Sequence, residues 1–272
     1  MRIWVNGELD GELATVPALD HGLTTGDGVF ETIKIVDGQP FAVRRHLERL
    51  VRSAVGLGLA GPDVSRIEGG ITEVLAADPG IKFGRLRITF TGGVSPLSSD
   101  RGTTGPTIVI ATQAIEPPAP TSAIVTVPWT RNERSAVAGL KTTSYAENVR
   151  ALAHAKERGG SEAIFANTVG ALCEGTGSNI FCVYDGELVT PTLESGALAG
   201  VTRALVVEWF GATERDVPLA QLFEADEIFL TSTTRDVQGI HRVDDRDLSA
   251  PGSITAQVMK IFADRSLENL NP

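Results

Sequence analysis

The segment AGLKTTSYAENVRALAHA sets Lys141 just ahead of an amphipathic helical pattern and between two stretches rich in apolar strands. A lysine held partly out of water has a lowered pKa and attacks a carbonyl as the free amine. Taken alone, the same residue also fits a solvated turn, where most lysines lie. In ALCEGTGSNIFCVYDG, Glu174 precedes a glycine-rich turn that is similar to an anion nest but lacks the GxxxxGKS/T phosphate loop. Such a carboxylate either faces solvent on a hairpin loop or holds a ring nitrogen protonated, so that the ring can take electrons from a substrate carbon.

Two further segments suit a phosphate. LAGVTRALVVEW puts Gly200, Val201 and Thr202 at a helix start, where free N–H groups and the helix dipole favour an anion and the threonine hydroxyl adds a donor. TSTT puts Ser232, Thr233 and Thr234 at the end of a strand, and Arg49, on the charged face of an earlier helix, offers a forked contact or simply solubilises that face. His21, His46, His154 and His241 show no compact ligand spacing, and Cys173 and Cys182 lie outside any CxxC, so neither a metal site nor a disulfide scaffold is expected.

Elements able to hold these groups are legible in the periodicity. IWVNGELD reads as a strand and turn, and Phe30 to Val36 and Phe41 to Val43 read as strands joined at Asp37-Gly38. From Arg44 the period is helical, with Leu47, Leu50, Val51 and Ala54 on one face and Arg45, Glu48, Arg49 and Arg52 supplying charge. A second helix is expected over 65–77, then strands at RLRITFT and TIVIATQAI, separated by a long Gly/Ser/Thr-rich loop from Gly92 to Pro106 of the sort that often carries function. Three prolines in EPPAPTSA mark a connector. Beyond it, AIVTVPW, EAIFAN, NIFCVYDGELVT and EIFLTSTT read as strands, and 144–157, 197–209 and 253–267 as helices. The expected architecture is a two-domain α/β (α+β) fold, with an α+β domain over 1–117, a linker over 118–124 and an α/β domain over 125–272 that includes Lys141.

Composition narrows the function classes. With 272 residues, 42% hydrophobic and 21% charged, the chain is neither disordered nor a coiled coil. Its net charge of −10 repels nucleic acid and anionic membrane surfaces, so neither is an expected partner, although a local basic pocket for a small anion is compatible with it. No apolar run approaches the ~20 residues of a membrane span, and the two acids in MRIWVNGELD do not suit a secretory signal. The cysteine usage points to a reducing, cytoplasmic setting.

Taken in order, DHGLTTGDGVFET at 20–32, HLERL at 46–50, LKTTSYAENV at 140–149, CEGTGSNIF at 173–181, LAGVTR at 198–203 and FLTSTTRD at 229–236 resemble the class IV aminotransferases, the fold type IV group of pyridoxal phosphate enzymes. The resemblance covers nearly the whole chain. It implies a D-amino-acid aminotransferase-like fold of two α/β domains with the cofactor in the cleft between them, usually a homodimer in which each active site borrows a loop from the partner. Carried over by position, Lys141 becomes the Schiff-base lysine and proton shuttle, and Glu174 the partner of the pyridine nitrogen. Arg49, Val201, Thr202, Ser232 and Thr233 match phosphate-binding positions, the valine through its N–H.

The resemblance also implies a choice of reaction on a small carboxylate-bearing amine. D-amino-acid aminotransferases resemble one another in a tyrosine after GDGV and in an Arg and a His in the loop after the next strand; here Phe30 stands first and neither loop residue is matched, though Arg101 lies nearby. Branched-chain enzymes carry a tyrosine five residues after the lysine, where this chain has Ala146, with Tyr145 one place earlier and about 100° away if the segment is helical. These departures and the short chain lead to the expectation of a 4-amino-4-deoxychorismate lyase, which releases pyruvate and 4-aminobenzoate. The alternative is a class IV transaminase of the D-amino-acid or branched-chain type. Phe30, Thr32, Arg101 and Tyr145 are the expected substrate-side residues.

Overall fold

The computed structural model describes residues 1–11 and 13–272. The chain divides into two compact units, the first comprising Met1–Pro117, Leu140–Tyr145 and Leu270–Pro272, the second Pro118–Gly139 and Ala146–Asn269.

The first unit runs β1 (Ile3–Val5), β2 (Glu8–Asp10), α1 (His21–Thr24), β3 (Gly28–Val36), β4 (Gln39–Pro40), α2 (Val43–Gly56), α3 (Val64–Ala77), β5 (Phe83–Thr91) and β6 (Thr107–Ala114). Its strands form one antiparallel sheet in the order β2-β1-β6-β5-β3-β4. Period-2 alternation decides its faces. Leu86, Ile88 and Phe90 of β5 join Ile33 and Ile35 of β3 in a core with Leu47 and Leu50 of α2 and Ile67 and Val74 of α3. Burying a strip of this kind contributes roughly 25 cal/mol per Å² of apolar surface.

The expected strand over Phe41 to Val43 is replaced by the two-residue β4 and an immediate turn into α2, because Ala42 adopts a left-handed conformation with φ of 56°. Ala42 supplies no side-chain cap; the C-terminal tail caps the helix instead, with Leu270 O accepting from Ala42 N–H at 2.7 Å and Asn271 Oδ1 accepting from Arg44 N–H at 3.0 Å.

Arg49 does not lie on a solvent-facing side of α2. His46, Arg49 and Ser53 are buried beside the apolar stripe, because β3 presents a carboxylate, Glu31, into the same core. Glu31 has no exposed surface, and Arg49 donates to both of its oxygens, Nε to Oε1 at 2.8 Å and Nη2 to Oε2 at 2.7 Å, while His46 Nδ1 lies 2.7 Å from Oε2. Burial alone would raise the Glu31 pKa; the charge and forked hydrogen bonds of Arg49, with His46, hold it well below the usual carboxylate range. His46 is pushed the other way, burial lowering its pKa against the pull of Glu31.

Lys141 packs with this unit rather than with the residues that follow the connector. Its carbonyl accepts from Phe30 N–H at 3.0 Å, Thr143 N–H donates to Gly28 O at 2.8 Å, and Val29 and Thr142 form an antiparallel bridge, so 140–145 lies as an extra extended segment along the start of β3.

The second unit runs β7 (Thr121–Arg131), α4 (Ala146–Glu157), β8 (Glu162–Asn167), β9 (Leu172–Gly175), β10 (Asn179–Tyr184), β11 (Glu187–Thr190), α5 (Val201–Trp209), β12 (Thr213–Glu214), β13 (Glu227–Ser232), β14 (Asp236–Val243), β15 (Arg246–Asp247) and α6 (Ser253–Glu268). Its sheet is ordered β12-β11-β10-β13-β14-β7-β8-β9, with β15 against β14 and β7 parallel to both β8 and β14. β7 begins inside the segment expected as a linker, since Ser122 and its neighbours pair with β14. Phe181 and Phe229, directly opposite in register, stack at 4.8 Å between centroids. The helices start later than their periodicity suggests: Gly200 is extended, so α5 begins at Val201, and Ser144 Oγ is drawn to Gly26 O at 3.1 Å ahead of α4. Among the described residues no helix is long and apolar enough to cross a membrane.

Two measurements check this packing. Leu50→Ala should lower the unfolding free energy by about 2–5 kcal/mol, read as a reduced urea midpoint; an unchanged midpoint would remove Leu50 from the core. Glu31→Gln should cost about 3–5 kcal/mol at neutral pH by stranding Arg49. Because the folded-state pKa of Glu31 is depressed, its contribution is fully present above the ordinary carboxylate range and fades as pH falls through that range towards the folded value. The gap between wild type and Glu31→Gln should therefore narrow on acidification, and a gap independent of pH would contradict the assignment.

Candidate active site

In the first unit the residues alternating with the core on β3 point to the other face of the sheet, and Phe30 is the hub there. Lys141 Nζ lies 4.3 Å from its ring centroid, Arg87 Cζ 3.5 Å, and the Tyr145 ring meets it edge to face at 5.2 Å. The backbone N–H of Lys141 donates to Ser53 Oγ on α2 at 3.2 Å, and Thr143 Oγ1 donates to Gly26 O at 2.8 Å. The amine is thus presented on a pinned extended segment above an aromatic ring, in a partly buried position that suits a nucleophilic amine. The angular objection to Tyr145 dissolves, because α4 starts only at Ala146 and the tyrosine precedes it.

Thr32 is half-buried and sits opposite Arg87 in the β3–β5 register. Arg87 itself was not singled out by sequence reasoning. The signal was available in RLRITFT, where strict alternation puts Arg85 and Arg87 opposite the buried Leu86 and Ile88.

Arg101 has a different job from the expected substrate contact. Its Nε and Nη2 form a fork with Asp27 at 2.8 and 2.7 Å, and Nη2 also donates to Leu57 O at 2.8 Å and Nη1 to Gly58 O. Those contacts commit the guanidinium to fastening the 92–106 loop to the end of α2. His21 completes the clasp, with Nδ1 2.9 Å from Asp27 Oδ2 and Nε2 2.9 Å from Ser98 O. Both partners are acceptors, so the ring carries both protons, and its pKa is raised by the Ser98 carbonyl first and by Asp27 next.

In the second unit Glu174 lies near the end of β9. Its Oε2 accepts from Leu198 N–H at 2.9 Å, and Oε1 is 3.5 Å from Arg131 Nε. Arg131 is held over the Phe165 ring at 4.5 Å and donates to Glu147 at 2.8 Å and to Asn148 at 2.9 Å. The carboxylate is therefore oriented and kept next to a fixed positive charge.

A donor set for an anion stands on the same unit. The first turn of α5 has no side-chain cap, so Val201 and Thr202 present backbone N–H groups there, with the buried Thr202 hydroxyl beside them. A Cβ on Gly200 would collide with Asn179 Oδ1, which shows how closely this backbone approaches β10. Opposite Asn179 in register is Thr231, whose buried Oγ1 has no hydrogen-bond partner among the described residues. Ser232 and Thr233 follow at the β13–β14 turn. An uncapped helix start next to an orphaned hydroxyl fits a phosphate. In the first unit Arg49 Nε and Nη2 are committed to Glu31, so the forked contact expected of it is made to that carboxylate. Among the described residues no cluster of His, Cys, Asp and Glu is arranged to hold a metal.

The first unit offers a partly buried amine and the second an oriented carboxylate and an uncapped helix start, the kinds of group that a phosphorylated pyridine aldehyde requires. Comparison with known proteins points the same way. Residues 28–243 match the family described as amino-transferase class IV. The crystal structure of a branched-chain aminotransferase from Thermoproteus uzoniensis, solved with norvaline, superposes with a TM-score of 0.92 at 30% identity, covering 98% of this chain and 95% of that one. A protein of Methanocaldococcus jannaschii provisionally named a branched-chain-amino-acid aminotransferase is 32% identical over 97% of this chain and 96% of its own length. A D-alanine aminotransferase of Staphylococcus epidermidis is 29% identical, with 96% of each chain covered. The family match accounts for the order in which the site segments occur: the chain belongs to the class IV aminotransferases, and its cofactor is pyridoxal 5'-phosphate.

Proposed function

We propose that the protein is an amino-acid transaminase of the branched-chain rather than the D-amino-acid type. The observation that carries this reading is the cluster on Phe30, where an amine and a guanidinium, Lys141 and Arg87, share one ring face system with the Tyr145 edge. It provides a base beside a cation that can bind a substrate carboxylate. The kinship supports transamination rather than the lyase reaction, since the relatives at 29–32% identity are named as aminotransferases of both the branched-chain and the D-alanine type. Against the D-amino-acid type stand Phe30 in place of a tyrosine and the loop arginine, Arg101, already spent on Asp27. The lyase expectation finds less support.

When bound, the cofactor supplies an aldehyde carbon that condenses with amines and a ring that takes up the electron pair left at the substrate Cα. Lys141 Nζ would hold the cofactor through that carbon and, as the free amine, would move a proton between the substrate Cα and the cofactor carbon. Glu174 would accept a hydrogen bond from the ring nitrogen, with Arg131 Nε 3.5 Å from its Oε1. The N–H groups of Val201 and Thr202 and the hydroxyls of Thr202, Ser232 and Thr233 would hold the phosphate, and Arg49 would add charge. Arg87 orients the substrate carboxylate and Tyr145 shields the amine. The chain further reads as a homodimer working in the cytoplasm.

Mixing the enzyme with L-leucine alone should convert the cofactor absorbance once, and 2-oxoglutarate should reverse it, with continued turnover only when both are present. Repeated release of pyruvate and 4-aminobenzoate from aminodeoxychorismate without an acceptor would sink the transaminase reading, and a strong preference for D-alanine would move it to the other subgroup. Lys141→Ala should abolish the covalent cofactor absorbance and reduce turnover by at least about 10²–10⁴-fold; retention of either would remove Lys141 from its role. Glu174→Gln should keep the cofactor bound while slowing Cα deuterium exchange, and unchanged exchange would count against the ring-nitrogen contact.

A further inference from the structure

Two groups used in the proposed function lie at tight connections, Glu174 on β9 just before the turn that leads to β10 and Ser232 and Thr233 at the turn of the β13–β14 hairpin. Both turns end on one buried acid outside the site. Glu162, 3% exposed at the first position of β8, accepts through Oε1 from the N–H of Thr176 at 3.1 Å, from the Thr176 hydroxyl and from Ala163 N–H at 3.1 Å. Its Oε2 accepts from Ser178 Oγ at 3.1 Å. A Cβ on Gly175 would meet Ser178 Oγ and the Glu162 side chain, so the residue after Glu174 rests directly on this acid.

From the other hairpin, Arg235 Nη2 reaches to 3.8 Å from Glu162 Oε2. The guanidinium is itself fixed, Nη1 donating to Gln238 Oε1 at 2.5 Å and to Ser161 Oγ at 3.2 Å, and Nη2 to Ser161 O at 3.0 Å. The backbone N–H of Arg235 donates to Ser232 Oγ at 3.4 Å, closing the turn. Gln238 is locked in place by Ser122 Oγ at 3.0 Å and by Ala119 O at 2.6 Å. A carboxylate so buried is stable only while its donors and the guanidinium stay in position, so displacement of one turn is felt at the other.

We propose that the Glu162–Arg235 ion pair is a positioning brace that ties the turn bearing Glu174 to the turn bearing Ser232 and Thr233, so that the ring-nitrogen contact and the phosphate contact are set together. This inference rests on the roles proposed for those three residues and adds two residues to which that function gives no contact with the cofactor.

Binding of two probes to the full chain separates the two ends. The ratio of the dissociation constants of pyridoxal and pyridoxal phosphate measures what the phosphate contacts contribute, and the absorbance maximum of the bound cofactor and its pH midpoint report the ring nitrogen. Glu162→Gln, a change beside the ring-end turn, should lower that ratio by about tenfold. Arg235→Met, a change on the phosphate-end turn, should shift the absorbance maximum or its pH midpoint, and Arg235→Lys should restore most of the wild-type spectrum. Effects confined to each residue's own turn, or no effect at either, would overturn the brace. If Glu162→Gln does not fold, the two Arg235 variants decide the matter through the same spectrum. Failure of the wild-type chain to bind pyridoxal phosphate at all would instead overturn the functional reading beneath the proposal, an outcome distinct from a cofactor bound with independent ends.

Discussion

A carboxylate with no access to water must be matched by donors and a positive charge or lose its proton balance, and in the first unit that demand falls on Glu31. It draws Arg49 and His46 of α2 inward beside Leu47 and Leu50, which sets the rotation of the helix against β3. With the helix so turned, Ser53 faces the segment that carries Lys141 and takes up its backbone N–H. The next residue along β3, Phe30, points to the opposite face of the sheet by strand alternation and becomes the floor under the lysine amine. One buried ion pair thereby fixes both the backbone and the aromatic contact of the reactive group.

The second unit solves a related problem with turns. Glu162 and Glu174 both lie by the turn between β9 and β10 but differ in surroundings: the first accepts from four protein donors, whereas the second accepts from Leu198 N–H and is flanked by Arg131. An acid whose hydrogen bonds go to the backbone and hydroxyls of one turn organises that turn. The same distinction separates Arg101, committed to Asp27 and to two carbonyls, from Arg87, which lies against an aromatic ring.

Much of the site was legible because its chemistry depends on local sequence. Lys141, Glu174 and the hydroxyls at Ser232 and Thr233 stand out by residue type beside glycines and strand ends, and the uncapped helix start at Val201 follows from Gly200 preceding an apolar helical run. Strand and helix identities followed from period. What misled were positions where two patterns overlap. Arg49 belongs to a run of charges on α2, and nothing local reveals that a carboxylate eighteen residues earlier would draw it into the core. Arg101 has the composition of a ligand-reading loop residue, and only the approach of Asp27 and the α2 terminus shows that its donors are spent.

The amino-acid sequence by itself determined the class of chemistry, the two-part α and β composition and most of the groups that could hold a phosphorylated ring, because these rest on residue type, spacing and hydrophobic period. Only the tertiary structure decided which unit takes the lysine segment, which arginine stands over Phe30, and which acids bind other parts of the protein. Those outcomes depend on hydrogen bonds and ion pairs between residues far apart in the chain, such as Phe30 N–H to Lys141 O and Arg235 to Glu162. Their partners are chosen by the register of strands and the rotation of helices, quantities that a linear pattern of residues does not contain.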